Sequence, residues 1–306
     1  MPAILSEAAV FPWLCALLGL LVGSFLNVVV HRLPVMMKRD WRSQAVEVLA
    51  DWSGDPAAPE PARKLTPALE RLVQSLEAMP RYTLVSPRSA CPGCGAAIGA
   101  MQNVPLISYL VLRGRCANCR RSIGVRYPLV ELAAGVLSGI VAWKFGFSAA
   151  TAGALLFTWA LLAAAVIDLD TQLLPDDITL PLVWAGLLFN LFDVFVPMES
   201  AVIGAIAGYL ALWSVYWLFK LTTGKEGMGF GDFKLLAAIG AFLGWQMLPA
   251  VILLSSVVGA VVGIGLIAFA GRERQVPIPF GPYLAAAGLL ALFFGPHINE
   301  TYLRIM

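Results

Sequence analysis

From Tyr127 to the C-terminus this chain of 306 residues is almost continuously apolar, and that block limits what it can fold into more than any other feature. A helix needs about 17 to 25 apolar residues to cross the hydrocarbon core of a bilayer. Read at that length, the block divides at short breaks: 144–148, 168–177, 196–200, 220–232, 244–249 and 271–277. A further apolar run precedes it at 8–30. Composition agrees, with 59% hydrophobic and 13% charged residues where a soluble domain carries about 25% charged. The expected fold is an all-α polytopic membrane protein of about eight transmembrane helices. Seven is the alternative count, because 237–270 is interrupted only by the weak GWQMLP break.

The first run differs from a secretory signal peptide. Its leading residues MPAILSEAAV hold Glu7 and no Lys or Arg, and it runs into NVVVHRLP without a small-residue cleavage site, so it reads as a retained helix. Orientation follows from the basic residues. The stretch 31–126 holds 14 of the 21 Lys and Arg, and Lys220, Lys225, Arg272 and Arg274 fall in later breaks, whereas the intervening breaks offer only Lys144. The positive-inside rule places the long insert in the cytoplasm and the N-terminus outside. The chain then divides into a first transmembrane helix in residues 1–34, a cytoplasmic loop in 35–126 and a seven-helix membrane domain in 127–306. A net charge of +2, with no basic run and no RNA-binding motif, sets nucleic acid aside.

Within the insert, residues 36–80 are polar, with DWSGDPAAPEPARK reading as a loose loop and PALERLVQSLEAM as a helical stretch. Residues 88–124 carry the pairs CPGC, Cys91 with Cys94, and CANC, Cys116 with Cys119, separated by 21 residues. Two such pairs form a tetrathiolate zinc signal, with each pair turning two thiolates onto one tetrahedral ion. A closed site of this kind has no position left for a reacting water, so the expected zinc is structural. A reducing cytoplasmic location argues against permanent disulfides, and Cys15 reads as a packed thiol.

Two aspartates end strongly apolar segments: Asp168 in AVIDLDTQLLPDD and Asp232 in GMGFGDFKL. An ionisable group near membrane depth marks function by default. The glycines at 227, 229 and 231 let the backbone bend and another segment come close just before a helix. Asp170, Asp176 and Asp177 read as interfacial or capping residues. Two close carboxylates suit peptide hydrolysis by the aspartic mechanism, one taking a proton from water while the other protonates the scissile amide. A GxSxG elbow and an HExxH motif are both absent, and only His31 and His297 occur. An ion-coupled transporter, which also uses intramembrane carboxylates, is the alternative.

Taken in order, GSFLNVVVHRLP, the two cysteine pairs flanking NVPLISYLVLRGRC, RYPLVE, IDLDTQLLPDDITLP and GMGFGDFKL resemble the type IV prepilin peptidases over nearly the whole chain. The resemblance implies a bifunctional enzyme of the bacterial inner membrane and an aspartic protease of the GxGD class. It would cut the basic leader of prepilins and pseudopilins at the cytoplasmic face, then methylate the new N-terminal residue with S-adenosylmethionine. It assigns the GxGD aspartate to Asp232 and the other catalytic aspartate to Asp168, with Asp170 as runner-up, and it matches the four cysteines to the family's zinc element. No glycine-rich loop of a doubly wound domain announces the methyl-donor site. By resemblance that site lies near GSFLNVVVHRLP and the cysteine loop, with Glu131, Lys225 and Lys234 as accessible charges. The small-residue stretches AVIGAIAGYLA and SSVVGAVVGIG suit close helix packing, either internal or against a substrate helix.

Overall fold

The computed structural model describes residues 10–270 and 278–305, and their regular structure is helical, with two isolated bridges and no strand. Among the described residues eleven α-helices run in order: α1 Phe11–Gly54, α2 Glu60–Arg63, α3 Thr66–Glu77, α4 Ile107–Val111, α5 Arg126–Phe145, α6 Ala149–Thr171, α7 Asp176–Asn190, α8 Met198–Thr223, α9 Phe230–Leu243, α10 Leu248–Ala270 and α11 Gly281–Ile305. The eight apolar segments read from the sequence correspond to α1 and α5 to α11, and a short turn at Trp245–Met247 makes the weak break before α10 real. Among the described residues five helices are long and apolar enough to cross a membrane. α7 and α9, with 15 and 14 residues, reach only about 21 to 22 Å at 1.5 Å per residue. The break at 271–277, with Arg272 and Arg274, lies outside the described residues, as does Glu7.

Two compact units are distinguished, Met1–Val30 with Ala100–Met306, and His31–Gly99. In the second, α1 continues beyond its apolar part to Gly54, through polar residues for which no helix was expected and into the first four residues of the stretch read as a loose loop. The cause is local: after Pro34 the sequence to Ser53 has neither Gly nor Pro to interrupt the helix. Gly54 ends it. The PALERLVQSLEAM stretch forms α3 as expected. Arg32 is buried in this unit, donating to the Thr83 and Pro87 carbonyls at 2.9 and 2.6 Å.

In the first unit the core is built around α9. Phe233, Leu235, Leu236, Ala238, Ile239, Ala241 and Phe242 are fully enclosed, as expected of a helix that is apolar on every side. α7, α8 and α11 pack around it. Against α9, α8 presents a stripe at four-residue spacing, Ser200, Gly204, Gly208, Leu212 and Tyr216. A Cβ at Gly204 would run into the Gly240 carbonyl, and one at Gly240 into the Gly204 carbonyl, so these two backbones touch. The AVIGAIAGYLA stretch is therefore used for internal packing. α10 is different: Leu253, Val257, Val261 and Ile264 form an exposed apolar row, the face expected toward lipid.

One buried polar residue ties α7 to this centre. Asn190, fully enclosed at the end of α7, donates to the Ala241 carbonyl at 2.8 Å and the Phe242 carbonyl at 3.2 Å. Its side-chain oxygen accepts from the Phe195 and Val196 amides at 3.0 and 3.1 Å. An asparagine that satisfies both ends of its amide costs little to bury.

Candidate active site

Three helix ends and one loop meet around the two aspartates. α6 ends at Thr171, and Gln172 adopts a left-handed conformation, φ 55°, with its N–H on the Asp168 carbonyl. That stop leaves Asp168 in the last turn of α6, buried, while Leu169 and Asp170 face outward. Asp170 forms an ion pair with Arg126, the first residue of α5. Asp232 lies in the first turn of α9, and it too is buried. Leu174 lies against both Gly231, which precedes Asp232, and Gly281, which bonds Asp168, so the two carboxyl groups border one small region.

The third helix end is that of α11. Its first residue, Gly281, donates its peptide N–H to Asp168 Oδ2 at 2.9 Å, within buried surroundings. Asp232 has a different environment: its Oδ1 is buried and has no hydrogen-bond partner. An unpartnered buried oxygen is expensive and calls for an explanation in a native fold. The loop between α6 and α7 closes over the pair through Leu174. A Cβ at Gly231 would sit 2.5 Å from the Leu174 Cβ, so the second glycine of GFGD is required by close approach. At Gly229 a Cβ would meet nothing nearer than the Asp232 carboxyl at 3.8 Å.

The other sequence candidates divide by partner. Asp176, at the start of α7, binds Lys234 of α9 through both carboxylate oxygens at 2.6 and 2.7 Å. This clamp fixes α7 against the helix that carries Asp232. Asp177 is exposed beside it. Glu131 accepts the Leu106 amide at 2.9 Å, and Lys225 is exposed. Sequence reading did not single out Gly281, Asn190 or the role of Arg126. For Gly281 a signal existed, since FGP directly before an apolar run marks a helix start.

The cysteine pairs form two similar turns. In the first, the Cys91 amide bonds the Ala96 carbonyl at 2.9 Å and Gly95 N–H returns to the Cys91 carbonyl at 2.9 Å. The Gly93 amide points at Cys91 Sγ, 3.4 Å away. In the second, the Cys116 amide bonds Arg121 at 2.8 Å and the Arg120 amide bonds Cys116 at 3.0 Å. Gly95 and Arg120 hold equivalent left-handed positions, φ 69° and 62°. The ligand atoms of Cys91, Cys94, Cys116 and Cys119 all lie within 4.8 Å of one another. A tetrahedral ion with metal–sulfur distances of about 2.3 Å fits four sulfurs gathered this closely, so the group can hold a metal such as zinc.

Comparison with known proteins gives a consistent result. Residues 17–145 match the Bacterial Peptidase A24 N-terminal domain and residues 155–264 match the Type IV leader peptidase family. A protein of Stutzerimonas stutzeri named prepilin leader peptidase/N-methyltransferase is 57% identical over 95% of this chain and 93% of its own. Proteins of the same name from Pseudomonas aeruginosa and Aeromonas salmonicida are 54% and 52% identical, over 94% and 99% of this chain and 92% and 99% of theirs. No solved structure matches the chain.

Proposed function

The chain belongs to the type IV leader peptidase family, and from that premise we propose that Asp168 and Asp232 are the catalytic pair with which it removes prepilin leaders. It is an enzyme with two activities, leader-peptide cleavage and N-methylation. The observation that carries the residue assignment is the burial of two carboxyl groups from different helices on either side of Leu174. Asp170, exposed and paired with Arg126, lacks that setting.

In the cleavage reaction the pair holds one proton between two carboxyl groups. The ionised carboxylate takes a proton from water, whose oxygen attacks the scissile carbonyl carbon. The protonated carboxyl gives its proton to the carbonyl oxygen. As the tetrahedral species collapses, the C–N bond breaks, the proton taken from water goes to the leaving amine, and one hydroxyl proton of the diol returns to the other carboxylate, which restores the single shared proton. No metal enters these steps. The unpartnered Oδ1 of Asp232 suits a group that finds its partner only when substrate and water are in place. The substrates are prepilins and pseudopilins, with a basic leader ahead of an apolar helix. Asp177, exposed beside the Asp176–Lys234 clamp, is placed to attract the leader.

The setting is the bacterial inner membrane, with the cysteine element and both aspartates on the cytoplasmic side. That orientation keeps the division into a first helix in 1–34, a cytoplasmic loop in 35–126 with its cysteine element at 88–124, and a membrane peptidase domain in 127–306. Zinc, held by Cys91, Cys94, Cys116 and Cys119, staples a loop that has little core of its own. S-adenosylmethionine supplies the methyl group of the second reaction. Nothing in the family or the relatives' names supports the transporter reading. The test is mass spectrometry of a purified prepilin incubated with the purified enzyme. A shortened product that gains one methyl group only when S-adenosylmethionine is present supports the assignment of both activities, and an intact prepilin refutes it.

A further inference from the structure

We propose that Gly281 is a positioning residue of the cleavage reaction: its peptide N–H fixes the Asp168 carboxylate, and its missing side chain leaves the room in which that carboxylate sits. This rests on the reading of Asp168 and Asp232 as the catalytic pair. The bond joins residues 113 positions apart in sequence, so it is made by the fold and not by local chain geometry.

Helix α11 is built to deliver that one donor. The first amides of a helix have no partner within it. Of those in the first turn, Pro282 has no N–H, and Tyr283 and Leu284 turn back to the Phe280 carbonyl at 3.1 and 3.2 Å. The Gly281 N–H points at Asp168 Oδ2, where the positive end of the helix dipole also favours a carboxylate.

The glycine itself has a steric reason. Its φ is not in the left-handed region, so the backbone does not demand glycine there. A Cβ would lie 2.7 Å from Asp168 Oδ2, 3.2 Å from Asp168 Cγ and 3.2 Å from Leu174 Cδ1. Any side chain would push Asp168 or Leu174 away from the site.

Each aspartate is thus held by a glycine backbone, Asp168 through Oδ2 by Gly281 and Asp232 by Gly229, while Asp232, more than nine-tenths buried, keeps Oδ1 without a partner. Fixing Asp168 this way matters because misplacing one member of a shared-proton pair by about 1 Å can cost about 100-fold in rate.

The test removes the N–H without adding an atom. Full-length enzyme with glycolic acid in place of Gly281, made by ligating a synthetic C-terminal segment, has an ester oxygen where the amide was. Its kcat for leader cleavage should fall at least about tenfold, with KM for the prepilin changed less than about twofold. Methylation of precleaved pilin and thermal melting should match the wild type. Gly281→Ala, which also adds the clash, should lose more. Wild-type kcat in the ester enzyme would overturn the proposal. So would a parallel fall of cleavage, methylation and melting temperature, which would make the bond merely structural. Asp168→Asn separates the two readings. If it still cleaves, the catalytic pair itself is wrong, and if it is inactive while the ester enzyme is normal, only the role of Gly281 fails.

Discussion

Asp168 and Asp170 stand two residues apart on one helix, which turns their side chains about 200° from each other. One therefore enters the bundle and the other meets Arg126 at its surface. The sequence alone left the choice between them open, because both follow the same apolar run. The ion pair at Asp170 is about one-third exposed, and such pairs contribute about 1 kcal/mol or less. Arg126→Gln should accordingly keep the cleavage rate within about threefold of wild type. The two glycines of GFGD are equally unequal, although the motif writes them alike. Gly231→Ala drives a methyl group into Leu174 and should lower the initial cleavage rate at least about tenfold, whereas Gly229→Ala makes only an ordinary van der Waals contact with the Asp232 carboxyl and should keep a wild-type melting temperature.

Helices were the most legible element, because apolar runs and their breaks mark start and stop directly. Every described break between α5 and α10 falls where Gly, Pro or charge interrupts the run. α1 is the exception: after its apolar part it continues as helix to Gly54 through residues read from the sequence only as polar. Partners were less legible than elements. Asn190 looks like an ordinary helix end, yet it bonds four backbone groups of α9 and the following loop. Asn190→Leu leaves buried backbone groups without partners, at about 1 to 3 kcal/mol each before relaxation, and should lower the melting temperature in detergent by several degrees. The Gly204–Gly240 contact makes a second prediction at this scale. Gly240→Val should force α8 and α9 apart and destabilise by at least about 1 to 3 kcal/mol, while Ala260→Val on exposed α10 should leave melting unchanged.

For the molecule as a whole, two chemical centres were visible as residue types before any geometry: four cysteines in two pairs, and two aspartates in apolar surroundings. The sequence could not show the convergence of α6, α9 and α11, since Asp168, Asp232 and Gly281 are joined only by tertiary packing. The cysteine centre predicts about one bound zinc per chain by elemental analysis. Cys91→Ser with Cys94→Ser should lose it and expose the 88–124 loop to protease. The central claim is that Asp168 and Asp232 cut the leader together and leave methylation to another site. Its most direct measurement is prepilin cleavage by purified wild type, Asp168→Asn, Asp170→Asn and Asp232→Asn, each also assayed for methylation of precleaved pilin. Loss of cleavage by at least about 1,000-fold in the first and third variants only, with methylation intact throughout, is the expected result. Wild-type cleavage by either Asp168→Asn or Asp232→Asn would contradict it.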